Sequence, residues 1–277
     1  MGSGMAGRLL SAGFPLTVYN RSRDKAARFA EAGASVAATP REAAARADIV
    51  IGMVADDAAS RAIWFGENGA LAGAAPGAVL IESSTLSVKY VHELAKAAAE
   101  RNCEFLDAPV TGTKPHAEAG QLLFLVGGSG QALATARPAL RVMSRDIVHL
   151  GPSGSGALLK LINNFLCGVQ LASLAEANAL IDASGLDRDK ALTVLTNGAP
   201  ASPLIKTIAA RISAAPASPN FVLRLMAKDL SYAIAEAKGH KLGLETAAAA
   251  LDIFKRAENA GHGDEDFSAV IGIIAAR

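Results

Sequence analysis

A change of pattern at Gly151 constrains this chain more than any other feature of its sequence. Before that point, short apolar runs alternate with amphipathic stretches. After it, the helical period continues almost unbroken to the end. Strands are expected over residues 16–20, 48–54, 78–82, 104–107, 122–126 and 147–150, with helices over 24–32, 57–64, 87–101 and 131–143. Strand runs this uniformly apolar need cover on both faces, as in a parallel α/β sheet. Beyond Gly151-Pro-Ser-Gly-Ser-Gly156, helices are expected over 157–184, 187–196, 203–212, 223–238 and 245–259, with a last short one from Phe267. The expected plan is an α/β domain over residues 1–151 and an all-α domain over 152–277, a division that suits a chain of 277 residues.

Charge excludes some functions. With 27 Lys+Arg against 26 Asp+Glu the net charge is +1, and no basic stripe marks a nucleic-acid or membrane surface. Cys103 and Cys167 lie far apart, and the five histidines show no ligand spacing, so no metal is expected. Residues 158–181 are apolar enough to suggest a membrane span. Lys160, Asn163, Asn164, Gln170, Glu176 and Asn178 interrupt the run, so it reads as a core helix with a polar stripe. No leader pattern follows Met1, and the expected compartment is a reducing cytoplasm. The 157–184 helix carries more apolar surface than one small domain needs, so a homodimer or homotetramer is expected.

Gly2-x-Gly4-x-x-Gly7 matches a dinucleotide-binding pattern literally, but that pattern needs a strand before it. Only 13 residues separate Gly7 from Asn20, too few for a helix, a turn and a strand. Gly2 is therefore read as the third glycine of such a motif. The first strand of the sheet is then expected to be missing, leaving a gap between the strands at 16–20 and 48–54.

Lys160 is the residue with the sharpest chemical reading. Gly156, Lys160, Asn164 and Gly168 recur every four residues and share a face of the long helix. Leu158, Leu159, Leu161 and Ile162 surround the lysine with apolar neighbours, unlike a solvated surface lysine. The flanking glycines are expected to leave room for a ligand. Thr111-Gly112-Thr113 follows a strand end, where α/β folds place ligands. Asn20-Arg21-Ser22-Arg23 ends the first readable strand. A carboxylate there would bind a ribose 2′-hydroxyl, whereas asparagine beside arginines favours a 2′-phosphate.

These segments, in order, resemble the β-hydroxyacid dehydrogenase family. The likeness begins at Met1-Gly-Ser-Gly-Met-Ala-Gly-Arg-Leu-Leu and continues through Asp107-Ala-Pro-Val-Thr-Gly-Thr113, Gly120-Gln-Leu, the Gly154 to Asn164 run, Lys228-Asp-Leu and Asp266-Phe-Ser-Ala-Val. The resemblance implies a Rossmann-type first domain. It also implies a general acid/base role for Lys160 with Asn164 holding substrate, and a carboxylate-binding loop at Thr111, Gly112 and Thr113. Cofactor contacts are implied at Gly2, Asn20, Arg21, Ser22, Met53, Val54, Thr85 and Lys228, and Phe221 is placed in the substrate pocket. Thr-Gly-Thr stands where the family usually has Ser-Gly-Gly or Ser-Gly-Ser.

The expected activity is reduction of a small carboxylated aldehyde to its hydroxy acid with NADP(H) rather than NAD(H). The run Thr111 to Leu122 is similar to plant-type glyoxylate/succinic semialdehyde reductases. The competing readings are a 3-hydroxyisobutyrate dehydrogenase and a cofactor-binding relative impaired by the missing N-terminal strand.

Overall fold

The computed structural model describes residues 1–212 and 219–274. They form two compact units, Met1–Lys160 and Leu161–Arg277.

Unit 1 opens with α1 (Gly2–Ser11), then β1 (Thr17–Val18), α2 (Arg23–Glu31), β2 (Ser35–Val36), α3 (Pro40–Ala44) and β3 (Ile49–Gly52). It continues through α4 (Asp57–Trp64), α5 (Ala70–Gly73), β4 (Val79–Glu82), α6 (Val88–Ala99), β5 (Glu104–Asp107), β6 (Val110–Thr111) and α7 (Lys114–Glu118). β7 (Leu122–Gly128), α8 (Gly130–Arg141) and β8 (Ser144–Gly151) complete it, followed by the first residues of α9 (Ser155–Ser184). Side-chain caps start several helices: Thr39, Asp56, Ser87 and Ser129 each accept a backbone N–H of the first turn.

The main sheet runs β3-β4-β5-β7-β6, with β8 beside β7. β3, β4 and β5 are parallel and end level, with Gly52 opposite Glu82 and Glu82 opposite Asp107. β7 runs antiparallel to both β5 and β6, so the sheet is mixed rather than wholly parallel. The apolar period that marked these strands carries no direction. The reversal is made by a two-residue strand and a five-residue helix, both too short to show a period. β8 also starts earlier than expected, since exposed Arg145 and Asp146 mask its first turn onto β7.

β1 pairs with β2 alone in a separate two-stranded sheet, and β3 pairs only with β4 among the described residues. The expected separation between these strands is therefore present. Residues of β4 are all buried, while Ile49, Val50 and Ile51 of β3 are half-buried. α1 forms despite three glycines because Met5 and Leu9 enter the unit 1 core beside Val79, Ile81, Leu106, Phe124 and Leu140.

Unit 2 is helical: the rest of α9, then α10 (Arg188–Asn197), α11 (Pro203–Ile212), α12 (Leu223–Gly239), α13 (Glu245–Ala257) and α14 (Val270–Ile274). Leu171, Leu174, Leu223, Met226, Leu230, Ile253 and Phe254 form its core. α9 is long and apolar enough to cross a membrane by length and composition. Its buried Leu171, Ala172, Leu174 and Ala175 are packed inside unit 2. The α/β unit followed by a helical unit with a long helix matches the expected fold.

Candidate active site

Three parallel strands ending level bring three loops to one edge of unit 1: Met53-Val54 after β3, Ser83 to Thr85 after β4, and Ala108 onward after β5. Two buried carboxylates, each 1% exposed, close the last two strands.

Asp107 holds the start of α9. Its Oδ1 accepts the Gly154 N–H at 2.8 Å and its Oδ2 accepts the Ala157 N–H at 2.9 Å. A remote side chain thus caps the helix and satisfies N–H groups with no intrahelical partner. Burial pushes the Asp107 carboxyl pKa above its ordinary value, opposed by the hydrogen bonds from Gly154 and Ala157. Gly156 is crowded by the same contact, because a Cβ there would overlap the Leu125 carbonyl oxygen and approach Asp107. The glycine therefore serves close packing, not the ligand space expected of it. Gly168 is likewise filled, by Leu230 and Met226 of α12 at 3.0–3.1 Å from a Cβ position. Four residues after Gly156 comes Lys160, 7% exposed. A buried lysine is rare without a polar role.

Glu82 closes β4. Its Oε2 accepts the Ser60 hydroxyl at 2.5 Å and the Trp64 indole N–H at 2.7 Å, and its Oε1 accepts the Ser84 N–H at 2.9 Å. The Ser84 hydroxyl in turn accepts the Val54 N–H at 2.7 Å. Thr85 follows, half-buried.

The Thr111-Gly112-Thr113 loop leaves β6. Gly112 has φ +121°, and a Cβ there would meet His116 and Leu122 at 3.1 Å. Thr113 does not stand open as expected. Its N–H donates to His116 Nδ1 at 3.2 Å, and its hydroxyl lies 2.9 Å from the same nitrogen. The Thr113 N–H is occupied within the chain, so it is not an open donor for an anion. The sequence carries no sign of the His116 contact, because α7 is five residues long and too short to show a helical period.

Asn20, Arg21, Ser22 and Arg23 are exposed. The Asn20 Oδ1 accepts the Ser22 N–H at 2.9 Å, turning the chain into α2. Among the described residues, neither Arg21 nor Arg23 forms a salt bridge. Gly2 is the first residue of α1, a helix with no side-chain cap, and a Cβ there would lie 3.5 Å from the Met53 side chain. Gly4 packs against α7, where a Cβ would be 2.9–3.0 Å from Ala117 and Glu118. The literal glycine pattern thus lies inside a helix, not in a phosphate-binding loop. An uncapped helix start and a pair of exposed guanidiniums are a donor set that fits a phosphate-bearing dinucleotide.

Unit 2 holds the remaining candidates. Asn164 is 4% exposed. Its Nδ2 donates to Asp229 Oδ2 at 2.5 Å, while its Oδ1 accepts from Asn163 Nδ2 at 2.9 Å. Lys228 Nζ lies 3.0 Å from Asp229 Oδ1 and 5.0 Å from the Tyr232 ring centroid. Phe221 packs edge-on against Phe267 at 5.4 Å between centroids. Asp266, first in the Asp-Phe-Ser-Ala-Val run, accepts the Asn220 N–H at 2.9 Å and the Ser268 hydroxyl at 2.7 Å, fixing the segment that carries Phe221.

Comparison with known proteins gives this geometry a context. Residues 1–151 match the family model for the NAD binding domain of 6-phosphogluconate dehydrogenase. Residues 154–274 match the model described as NAD-binding of NADP-dependent 3-hydroxyisobutyrate dehydrogenase. The chain is 34% identical over 274 residues to glyoxylate/succinic semialdehyde reductase 1 of Arabidopsis thaliana, covering 99% of this chain and 95% of that one. It is 35% identical to an NAD-dependent L-serine dehydrogenase of Pseudomonas aeruginosa, covering 98% and 93%. Among solved structures, Mycobacterium tuberculosis 3-hydroxyisobutyrate dehydrogenase with L-serine superposes with a TM-score of 0.88 at 32% identity, covering 100% and 96%.

Proposed function

This chain belongs to the β-hydroxyacid dehydrogenase family of oxidoreductases, and on that footing we propose that it reduces a small aldehyde acid, of the glyoxylate or succinic semialdehyde type, with NADPH. The observation that carries the reading is Lys160, a buried lysine near the start of a helix anchored by Asp107 at the edge where three strands end.

The nicotinamide cofactor, when bound, supplies the hydride. Arg21, with Asn20 and Ser22 beside it, would take the 2′-phosphate, since a guanidinium offers a fork matched to phosphate and no carboxylate stands at position 20 to repel it. Gly2, Met53, Val54, Thr85 and Lys228 would hold the rest. The Lys160 ammonium gives a proton from Nζ to the substrate carbonyl oxygen as that oxygen gains charge. In the reverse direction the amine takes the proton back. Asp229 and Asn163 fix the Asn164 amide, and the second N–H of its Nδ2 would be the one offered to the substrate. The Thr111 hydroxyl and the Gly112 N–H would hold the carboxylate, with Phe221 offering an apolar wall. The apolar residues left exposed on α9, Ile162, Leu166 and Leu180, support a homodimer or homotetramer.

The test is NADPH and NADH oxidation with glyoxylate, succinic semialdehyde, methylmalonate semialdehyde and tartronate semialdehyde. Lys160→Ala should lower turnover at least ~10²-fold, the scale of a lost general acid, while NADPH still binds. Turnover close to the parent's would remove Lys160 from the chemistry. A second reading, 3-hydroxyisobutyrate dehydrogenase, draws on the TM-score of 0.88 to that enzyme. Preference for NAD and for methylmalonate semialdehyde would select it.

A further inference from the structure

We propose that Glu82 is a positioning residue that sets cofactor affinity by fastening the loops after β3 and β4 into one piece. The inference rests on the nicotinamide-dinucleotide reading given above.

Glu82 ends a strand whose other residues are apolar and buried, and it is itself 1% exposed. Its two oxygens accept three donors: the Ser60 hydroxyl and the Trp64 indole on α4, and the Ser84 N–H at the start of the next loop. The connection then continues outward, because the Ser84 hydroxyl accepts the Val54 N–H. The two loops are also joined through backbone, with the Ser83 N–H donating to Gly52 O at 2.8 Å. Space around the carboxylate is closed. A Cβ on Gly52 would lie 3.0 Å from Trp64 Nε1 and 3.1 Å from Glu82 Oε2.

A second carboxylate closes the far end of the same loop. Asp57, also on α4, accepts the Ser87 N–H at 3.0 Å and the Ser87 hydroxyl at 2.6 Å. Residues 83–87, Thr85 among them, are therefore fastened to α4 at both ends. Only a carboxylate serves at position 82. Glutamine has the same shape, but it would turn an N–H toward a group that is itself a donor. Whichever way the amide turns, its N–H meets a donor, the Ser84 N–H on one side or the Trp64 indole on the other, so the fastening of the loop after β4 to α4 is weakened without opening a cavity.

The experiment uses Trp64, the single tryptophan of the chain, as its reporter. Intrinsic fluorescence is titrated with NADPH and with NADH in the parent, in Glu82→Gln and in Ser84→Ala. Steady-state kinetics and thermal melts are run on the same three proteins. Glu82→Gln should raise the Michaelis constant for both cofactors about 10-fold, the change expected from one lost hydrogen bond. Turnover at saturating cofactor and the Michaelis constant for the aldehyde should stay within about twofold of the parent's, a change too small to mark a lost contact. Ser84→Ala, which cuts only the relay to Val54, should give a smaller rise of the same kind. It also serves as the test if Glu82→Gln does not fold. Unchanged cofactor constants in both variants, with only the melting temperature lowered, would reduce Glu82 to a structural brace and overturn the proposal. A parent that binds neither dinucleotide would overturn the cofactor reading and this inference together.

Discussion

Two helices, α1 and α9, begin among glycines within unit 1, and they begin in opposite ways. α1 carries Gly2, Gly4 and Gly7 at a spacing associated with nucleotide binding, yet no side chain caps it. Around its glycines the structure is uneven: ordinary contact at Gly2, a tight approach to α7 at Gly4, and nothing within 4 Å at Gly7. α9 is preceded by Gly151 and Gly154, both at positive φ, and includes Gly156. Its spacing matches no phosphate loop, but Asp107 caps it from another strand and every glycine faces a close neighbour. The comparison teaches that glycine spacing suggests a role, and the atoms beside the missing Cβ decide it.

The sharpest way to break this contrast is Asp107→Ala. It would leave the Gly154 and Ala157 N–H groups buried without an acceptor, at about 1–3 kcal/mol each. Urea unfolding should record a loss of about 3 kcal/mol or more, and a variant as stable as the parent would show that α9 needs no cap. Asp107→Asn tests the same contact through pH. Burial raises the Asp107 pKa above 3.8, so its stabilising contribution is full below the unfolded value and is lost as pH rises through the folded one. The parent's stability relative to Asp107→Asn should therefore fall between acid and neutral pH. A difference constant across that range would remove the buried charge from the account.

Next in size is Gly156→Ala, whose Cβ would press on backbone and not on a movable side chain. A loss of about 2–3 kcal/mol is expected, the upper part of the overpacking range. Gly4→Ala should cost about 1–2 kcal/mol, because α1 must back away from α7. Gly7→Ala should do the reverse and stabilise by about 0.5–1 kcal/mol, since alanine suits an uncrowded helix interior better. Equal effects at Gly4 and Gly7 would erase the distinction drawn within α1.

Much of this was legible before the structure. The short apolar run at 104–107 and the long helical period over 223–238 fall on β5 and α12. Lys160 stood out because a charged residue inside a leucine-rich helix costs too much to be accidental. The β6–α7–β7 reversal was not legible, because two-residue and five-residue elements carry too few positions for any period. Glu82 was read only as the end of a strand. A carboxylate there resembles a solvent-facing residue until Ser60 and Trp64 arrive, 22 and 18 positions away. Asp107 hid likewise, since Gly154 and Ala157 lie 47 and 50 positions further on. Sequence pattern reports neighbours along the chain, whereas buried carboxylates depend on neighbours across it.

The 30 residues of α9 have one further consequence. The boundary between the two compact units falls between Lys160 and Leu161, inside that helix and close to its start. A gene divided there would yield a first fragment ending in less than two turns of helix, far below the ~12 residues at which an isolated helix holds in water. Lys160 would become a fraying chain end, and the second fragment would open on four backbone N–H groups cut from their carbonyls. The units are distinct by packing but share one indivisible segment. Excision, permutation or domain exchange in this protein has to carry the whole of α9 with one side or the other.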